Sequence, residues 1–350
     1  ALHTQKRIEL PTGDVMSPIH LTTTYANSVP GESEYFYGRV SNPTREIFER
    51  TIASLEGIEN YDELPALAMA SGMAAISLIA ELVKPDENVV ISKDVYGGTT
   101  NFFATIARKR GLEVNFCDMY DKEKLESFIN NKTKLFWVET PTNPMMNVID
   151  IKKISKLAKE YKILLAVDNT FASPYLQQPL NLGADIVMHS ATKYLAGHSD
   201  VILGTIALND KGLAEKLYFI QNASGAVCGP MDSFLTLRGI KTLHVRMQRH
   251  SENAKEIAGF LESNSKIKTV FWPGLENHPS HKIAKKQMND FGGMISFIPK
   301  GSDFSSSVQI MKKLNLSINN KEDLKLEKND TNATVQFLNI KKGKRVRLQF

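Results

Sequence analysis

The chain has 350 residues, 42% of them hydrophobic, and a formal net charge of +5. That length buries a sizeable core and fits two domains, and the absence of any apolar run of about 18 residues argues against a transmembrane helix, so no membrane partner is expected. Residues 1–7 lack the charged-then-apolar pattern of a secretory signal, so the expected location is the cytoplasm.

Residues 1–45 read as an irregular N-terminal arm, interrupted by Pro11, Gly13, Pro18, Pro30, Gly31 and Pro43. Within it Tyr35-Phe36-Tyr37-Gly38-Arg39 concentrates aromatics with an arginine, as an arm that packs on a second subunit would. From Asn42 the pattern turns regular. Residues 44–55 read as a helix with Ile47, Phe48, Ile52 and Leu55 on one face. Strand-like and helical stretches then alternate: a strand at 64–70, a helix from Ser71 to about Val83, a strand at 88–92, a helix at 99–110 and a strand at 114–117. A helix at 122–130, a strand at 134–139, a helix at 151–161 and strands at 163–167 and 186–188 continue the series. Repeated βα units with near-continuous apolar strands predict an α/β fold, a central mostly parallel sheet covered by helices on both faces. The expected large domain spans 46–238. Residues 213–224 and 229–262 read as long helices, with a break near Gly239 opening a smaller C-terminal α+β domain over 239–350.

Cys117 and Cys228 lie in apolar contexts and read as two buried thiols rather than a disulfide. Pro279 between His278 and His281 argues a loop, and no metal site is expected. From Asn315 onward eight Lys/Arg face four Asp/Glu. The body is therefore nearly neutral, the basic excess is a tail property, and nucleic acid is not an expected partner.

Ligands of parallel sheets bind beyond the carboxyl ends of the strands. The expected strand ends here carry Ser71-Gly72-Met73, Asp94-Val95-Tyr96-Gly97-Gly98-Thr99, Glu139-Thr140-Pro141-Thr142-Asn143-Pro144, Asp168-Asn169-Thr170 and Ser190-Ala191-Thr192-Lys193. Each has a plain structural reading. Gly72 serves a tight turn, Tyr96 a half-buried aromatic position, Asp168 a helix cap and Lys193 a loop surface. Together they supply a helix start whose free N–H groups suit a phosphate, a ring to stack, and a carboxylate after Leu-Leu-Ala-Val that needs a cation. They also supply a lysine whose desolvated amine is nucleophilic. Those are the components of a site for pyridoxal 5'-phosphate (PLP).

The same blocks resemble the Cys/Met-metabolism PLP enzymes, the group of cystathionine γ-lyase and cystathionine γ-synthase. The carriers are Tyr37-Gly38-Arg39 with Asn42-Pro43-Thr44-Arg45, Ser71-Gly72-Met73-Ala74, Tyr96-Gly97-Gly98-Thr99 and Glu139-Thr140-Pro141-Thr142-Asn143-Pro144. Asp168-Asn169-Thr170 and Ser190-Ala191-Thr192-Lys193-Tyr194 with Gly197-His198 complete them. The resemblance implies PLP fold type I, the aspartate-aminotransferase-like fold, and a homotetramer of two catalytic dimers. It implies that Lys193 forms the internal aldimine and shuttles protons, with Tyr96 stacking on the ring and serving as acid or base. Asp168, in a block with Thr170, would hold the pyridinium nitrogen. Gly72, Met73, Ser190 and Thr192 would bind the phosphate, Tyr37 and Arg39 would reach it from the neighbouring subunit, and Asn143 would sit by the ring hydroxyl and substrate carboxylate. The implied reaction is γ-elimination of cystathionine to cysteine, 2-oxobutyrate and ammonia, on a small sulfur amino-acid substrate. The alternatives are γ-replacement on an activated homoserine, or a PLP-binding member with impaired catalysis. Gly98 stands where methionine γ-lyases carry cysteine, and Asn101 where family lyases often carry a basic residue. Residues 315–350 depart from the family pattern, so the arginine that clamps the substrate carboxylate is not assigned.

Overall fold

The computed structural model describes residues 14–27, 29, 34–59, 66–300 and 335–337. The chain divides into two compact units. The first takes the chain up to Lys93, then Gly97–Val138 and Ile151–Leu243, and the second takes Asp94–Tyr96, Glu139–Asp150 and the chain from His244.

The first unit opens with α1 (Pro43–Leu55), started by Asn42, whose side chain accepts from the N–H groups of Thr44 and Arg45 at 3.0 and 3.1 Å. Pro43 occupies the first turn, where no N–H is missed, and Ile47, Phe48 and Ile52 bury one face. There follow β1 (Ala66–Met69), α2 (Gly72–Ala80), β2 (Asn88–Ser92), α3 (Gly97–Asn101), β3 (Glu113–Cys117), α4 (Lys122–Ser127) and β4 (Thr133–Glu139). Then come α5 (Ile151–Tyr161), β5 (Leu164–Asp168), α6 (Ser173–Leu176), β6 (Ile186–Ser190), β7 (Gly204–Leu208), α7 (Lys211–Ser224) and α8 (Pro230–Ile240).

The seven strands form one sheet in the order β1-β7-β6-β5-β4-β2-β3. β2 runs parallel to β3 and β4, and β5 parallel to β6, whereas β7 is antiparallel to both of its neighbours. The parallel run was legible because strands covered on both faces are apolar throughout. Leu135, Phe136 and Trp137 of β4 are completely buried. β7 was not foreseen, and it matters. Since it reverses between β1 and β6, β1 runs in the same direction as β6 and β5. All three deliver their carboxyl ends to one edge of the sheet.

Two helices differ from the expected ones. The helix expected over 99–110 is α3 followed by a π-helix, Phe102–Ala107. Phe102 and Phe103 are consecutive and both buried, in an edge-to-face pair at 5.2 Å, and an ordinary helical turn would splay them about 100° apart. The helix expected over 229–262 is two helices, α8 and α9 (Leu243–Ser263), separated at Lys241-Thr242. Both Cys117 and Cys228 are buried free thiols, as expected.

In the second unit α9 is followed by β8 (Ile267–Phe271), α10 (His281–Gln287), β9 (Ile295–Pro299) and β10 (Val335–Phe337). The strands form an antiparallel sheet in the order β10-β9-β8, the expected α+β arrangement. Ala254, Ala258 and Leu261 of α9 pack with Trp272, Ile295 and Phe297, and the Trp272 indole donates to Gly292 O at 3.0 Å. Most of residues 315–350, whose departure from the family pattern bears on the substrate arginine, lies outside the described residues.

Candidate active site

At the shared carboxyl edge of β1, β5 and β6, three loops hold the residues of interest. After β1, Ser71 caps α2, its side chain accepting from Ala74 N–H at 3.1 Å. Gly72 and Met73 are the first residues of that helix, so their N–H groups have no intrahelical acceptor and carry its positive end. A Cβ on Gly72 would lie 2.9 Å from Ser190 Cβ and 3.1 Å from its hydroxyl oxygen. The missing side chain is what lets the helix end abut the end of β6.

After β5, Asp168 is 6% exposed. Its Oδ1 accepts from Thr170 N–H at 3.0 Å and from the Thr170 hydroxyl at 2.5 Å, and that hydroxyl oxygen accepts from Ser190 N–H at 2.8 Å. Thr170 thereby ties the carboxylate to the end of β6. Burial pushes the Asp168 carboxyl above the usual carboxylate range, opposed by the two Thr170 hydrogen bonds and by His189. An ionised carboxylate held this way favours a cation as its neighbour.

After β6, Lys193 sits half-buried in a turn in which its N–H donates to Ser190 O at 3.1 Å and Gly197 N–H donates to Lys193 O at 2.9 Å. The Thr192 hydroxyl donates to Leu203 O at 3.2 Å and accepts from Leu203 N–H at 3.0 Å, so it braces the loop. α8 seals the turn from behind: a Cβ on Gly239 would fall 2.1 Å from Ala196 O.

Gly72, Met73, Asp168, Thr170, Ser190, Thr192 and Lys193 are therefore brought to one edge. Tyr37 and Arg39 lie elsewhere in the same unit, exposed on the turn before α1, with the Arg39 guanidinium over the Tyr37 ring, 5.5 Å from its centroid, and hydrogen-bonded to Asn222 near the end of α7. Tyr96 and Asn143 belong to the second unit. There Tyr96 is 44% exposed with its N–H on Glu139 Oε2 at 2.9 Å. Asn143 is half-buried in a turn with cis peptides at Thr140-Pro141 and Asn143-Pro144, where the Thr142 hydroxyl donates to Asp94 at 2.5 Å. Among the described residues no group of three or more His, Cys, Asp or Glu could hold a metal ion.

Sequence reasoning missed two features. Gly204, the first residue of β7, pairs with both Met69 and Ser190, and a Cβ there would sit 2.1 Å from Ser71 O. Its only signal is a glycine within an apolar run. Gly204→Ala is expected to force the Ser71 peptide away, costing about 1–3 kcal/mol and weakening cofactor binding. Denaturant unfolding of the apoprotein and titration with PLP check both effects. The second is a buried pair, His189 Nε2 with Glu56 Oε1 at 2.6 Å, whose members are too far apart in sequence to be matched by eye.

The donor set fits PLP: free N–H groups beside a serine hydroxyl for a phosphate, a buried carboxylate for a ring cation, and an amine on the adjoining turn. A mostly parallel sheet with these groups at one edge defines a PLP-dependent enzyme of fold type I. The chain belongs to the family described as Cys/Met metabolism PLP-dependent enzyme, whose profile matches residues 1–322, and its cofactor is pyridoxal 5'-phosphate. It is 46% identical over 318 residues to a cystathionine beta-lyase of Coxiella burnetii, covering 90% of this chain and 81% of that protein. It is also 46% identical over 303 residues to a cystathionine gamma-lyase of Dictyostelium discoideum, covering 86% of this chain and 77% of that one. The crystal structure of cystathionine gamma synthase from Xanthomonas oryzae pv. oryzae in complex with aminoacrylate and cysteine superposes with a TM-score of 0.84 at 34% identity, covering 91% of this chain and 81% of its own. Among the described residues no helix is long and apolar enough to cross a membrane.

Proposed function

We propose that the chain cleaves cystathionine by γ-elimination, releasing cysteine, 2-oxobutyrate and ammonia. The observation that carries the cofactor's chemistry is Lys193 on the turn after β6, beside Ser190 and the start of α2. Related proteins named for β-lyase, γ-lyase and γ-synthase activities share cystathionine as substrate or product. The γ-lyase reading rests on the identity to the Dictyostelium enzyme, while Gly98 weighs against a methionine γ-lyase. γ-Replacement on an activated homoserine is the second reading, favoured by the likeness to the Xanthomonas synthase.

In this reading PLP supplies an electron sink for the pair left when the Cα proton departs. Lys193 would hold the cofactor covalently between turnovers; its amine would take the Cα proton, pass it on, and then take a Cβ proton, so that the pair left at Cβ forms the Cβ–Cγ double bond as the γ-sulfur leaves with a proton from a nearby acid. Gly72 and Met73 N–H groups and the Ser190 hydroxyl would bind the phosphate, joined by the Thr192 hydroxyl once it turns its proton from Leu203 O. Asp168 holds the ring nitrogen protonated, and Thr170 orients Asp168. Tyr96 stacks and serves as acid or base, Asn143 meets the substrate, and Tyr37 and Arg39 serve the phosphate of a second copy within a homotetramer. The two free buried thiols suit a reducing cytoplasmic setting.

Product analysis with purified protein, PLP and cystathionine tests the reaction. Cysteine with 2-oxobutyrate supports γ-elimination, whereas homocysteine with pyruvate makes it a β-lyase. Turnover only of activated homoserine with cysteine makes it a synthase, and no turnover of either substrate leaves a PLP-binding protein.

A further inference from the structure

The side chains of Asn42, Thr44 and Arg45 are turned back onto the arm that precedes them. Asn42, besides capping α1, donates to His20 O at 2.9 Å. The Thr44 hydroxyl accepts from His20 N–H at 3.0 Å and donates to Pro18 O at 3.1 Å. Arg45 does the most. It is 3% exposed, and its guanidinium reaches three successive carbonyls: Gly38 O at 2.9 Å, Arg39 O at 3.3 Å and Val40 O at 2.9 Å.

Those carbonyls belong to the turn that carries Tyr37 and Arg39. The turn is held from other sides too. Tyr218 of α7 donates its hydroxyl to Val40 O at 2.8 Å, and Gly38 N–H donates to Thr23 O at 2.8 Å. The Arg39 guanidinium lies over the Tyr37 ring and bonds Asn222. Beneath, Glu49 Oε1 stands 3.7 Å from Arg45 Nε and accepts from Ala68 N–H of β1 at 2.8 Å, which anchors the assembly to the sheet. Burying an arginine to hold a surface turn costs desolvation. The result here is a rigid edge whose outward groups are a phenol and a guanidinium, both exposed.

We infer that Arg45 is a positioning residue for the cofactor phosphate of a second copy of this chain, acting through the turn that presents Tyr37 and Arg39. The inference rests on the reading of Tyr37 and Arg39 given above. A planar fork can satisfy a fan of three carbonyls, whereas an ammonium on a flexible stem bonds them as a point charge. Lysine is therefore not an equivalent.

The test uses full-length protein. Arg45→Lys is expected to weaken PLP binding to the apoprotein about tenfold or more, and Tyr218→Phe, a milder change in the same anchor, to weaken it in the same direction by less. Arg39→Ala is the control for the reading beneath. If Arg39→Ala binds PLP as wild type does, both that reading and this inference fall. If Arg39→Ala loses affinity but neither Arg45→Lys nor Tyr218→Phe does, the inference alone falls. Hybrids of Arg45→Lys subunits with Lys193→Ala subunits give the decisive readout. The intact Lys193 then receives its turn from a subunit with intact Arg45, so wild-type PLP affinity is expected at that site. A hybrid whose remaining site is as weak as the Arg45→Lys parent shows that Arg45 acts within its own subunit, and overturns the inference.

Discussion

Lys193→Ala is expected to lower turnover by about 10⁴-fold or more, since it removes both the covalent hold on the cofactor and the base that moves the Cα proton, each a large effect by itself. The replacement leaves the N–H groups of α2, Ser190 and Asp168 in place. PLP should therefore still bind, more weakly, but borohydride should no longer fix it to the protein. A small primary amine added to the assay should restore part of the proton transfer. The turn itself is held by main-chain bonds at Ser190 O and Gly197 N–H, so the melting temperature of the apoprotein should change little. A Lys193→Ala protein that retains a tenth of wild-type turnover, or that borohydride still labels, would overturn the assignment.

Asp168→Asn carries the second large effect, and its two readouts move in opposite directions. With cofactor bound, loss of the charge facing the ring nitrogen is expected to reduce kcat roughly 10²- to 10³-fold, the scale of removing one preorganised electrostatic partner. Without cofactor, the folded state holds a buried carboxyl whose pKa is raised above its unfolded value. As pH rises from the unfolded pKa through the folded one, the unfolded chain gives up its proton first, and the fold loses stability across that window. Asparagine keeps an acceptor for Thr170 and has no such window. Apo Asp168→Asn should therefore be at least as stable as wild type at neutral pH, with a flatter dependence of stability on pH from the acid side. Thermal unfolding of both apoproteins across pH checks it. A variant less stable than wild type throughout would make Asp168 a structural hub rather than a charge partner.

The fold and the strand-end groups were legible because parallel strands buried on both faces leave apolar runs, and because the loops after them are short and rich in Gly, Ser and Thr. β1, β2, β4, β5 and β6 and the blocks around Gly72, Asp168 and Lys193 came from that pattern. β7 was missed because a five-residue run after a loop looks like any apolar segment, and only its antiparallel pairing to β1 and β6 gives it meaning. The π-helix after Asn101 was missed for a related reason, since it answers to tertiary packing that periodicity does not encode, whereas the break expected near Gly239 falls at Lys241-Thr242. Thr170 was placed with the cofactor groups, yet its hydroxyl already bonds Asp168 and Ser190 N–H, and only coordinates reveal that it serves its neighbours. The turn before α1 shows in the sequence only as aromatics beside an arginine. Arg45 beneath it was part of a recognised string, and its three carbonyl contacts were invisible until the chain was folded.

The reversal of β7 has a kinetic consequence. β1, the first strand of the large sheet, finds its hydrogen-bonded neighbour in β7, the last, with Met69 opposite Gly204. Such a pairing closes a long loop, an event paid for in chain entropy before any contact rewards it. The helix start at Gly72 meets Ser190 only when that closure is made, so the vitamin-derived group has nowhere to lodge on a half-folded chain. During refolding, PLP should leave the early phases unchanged and act by trapping the finished sheet.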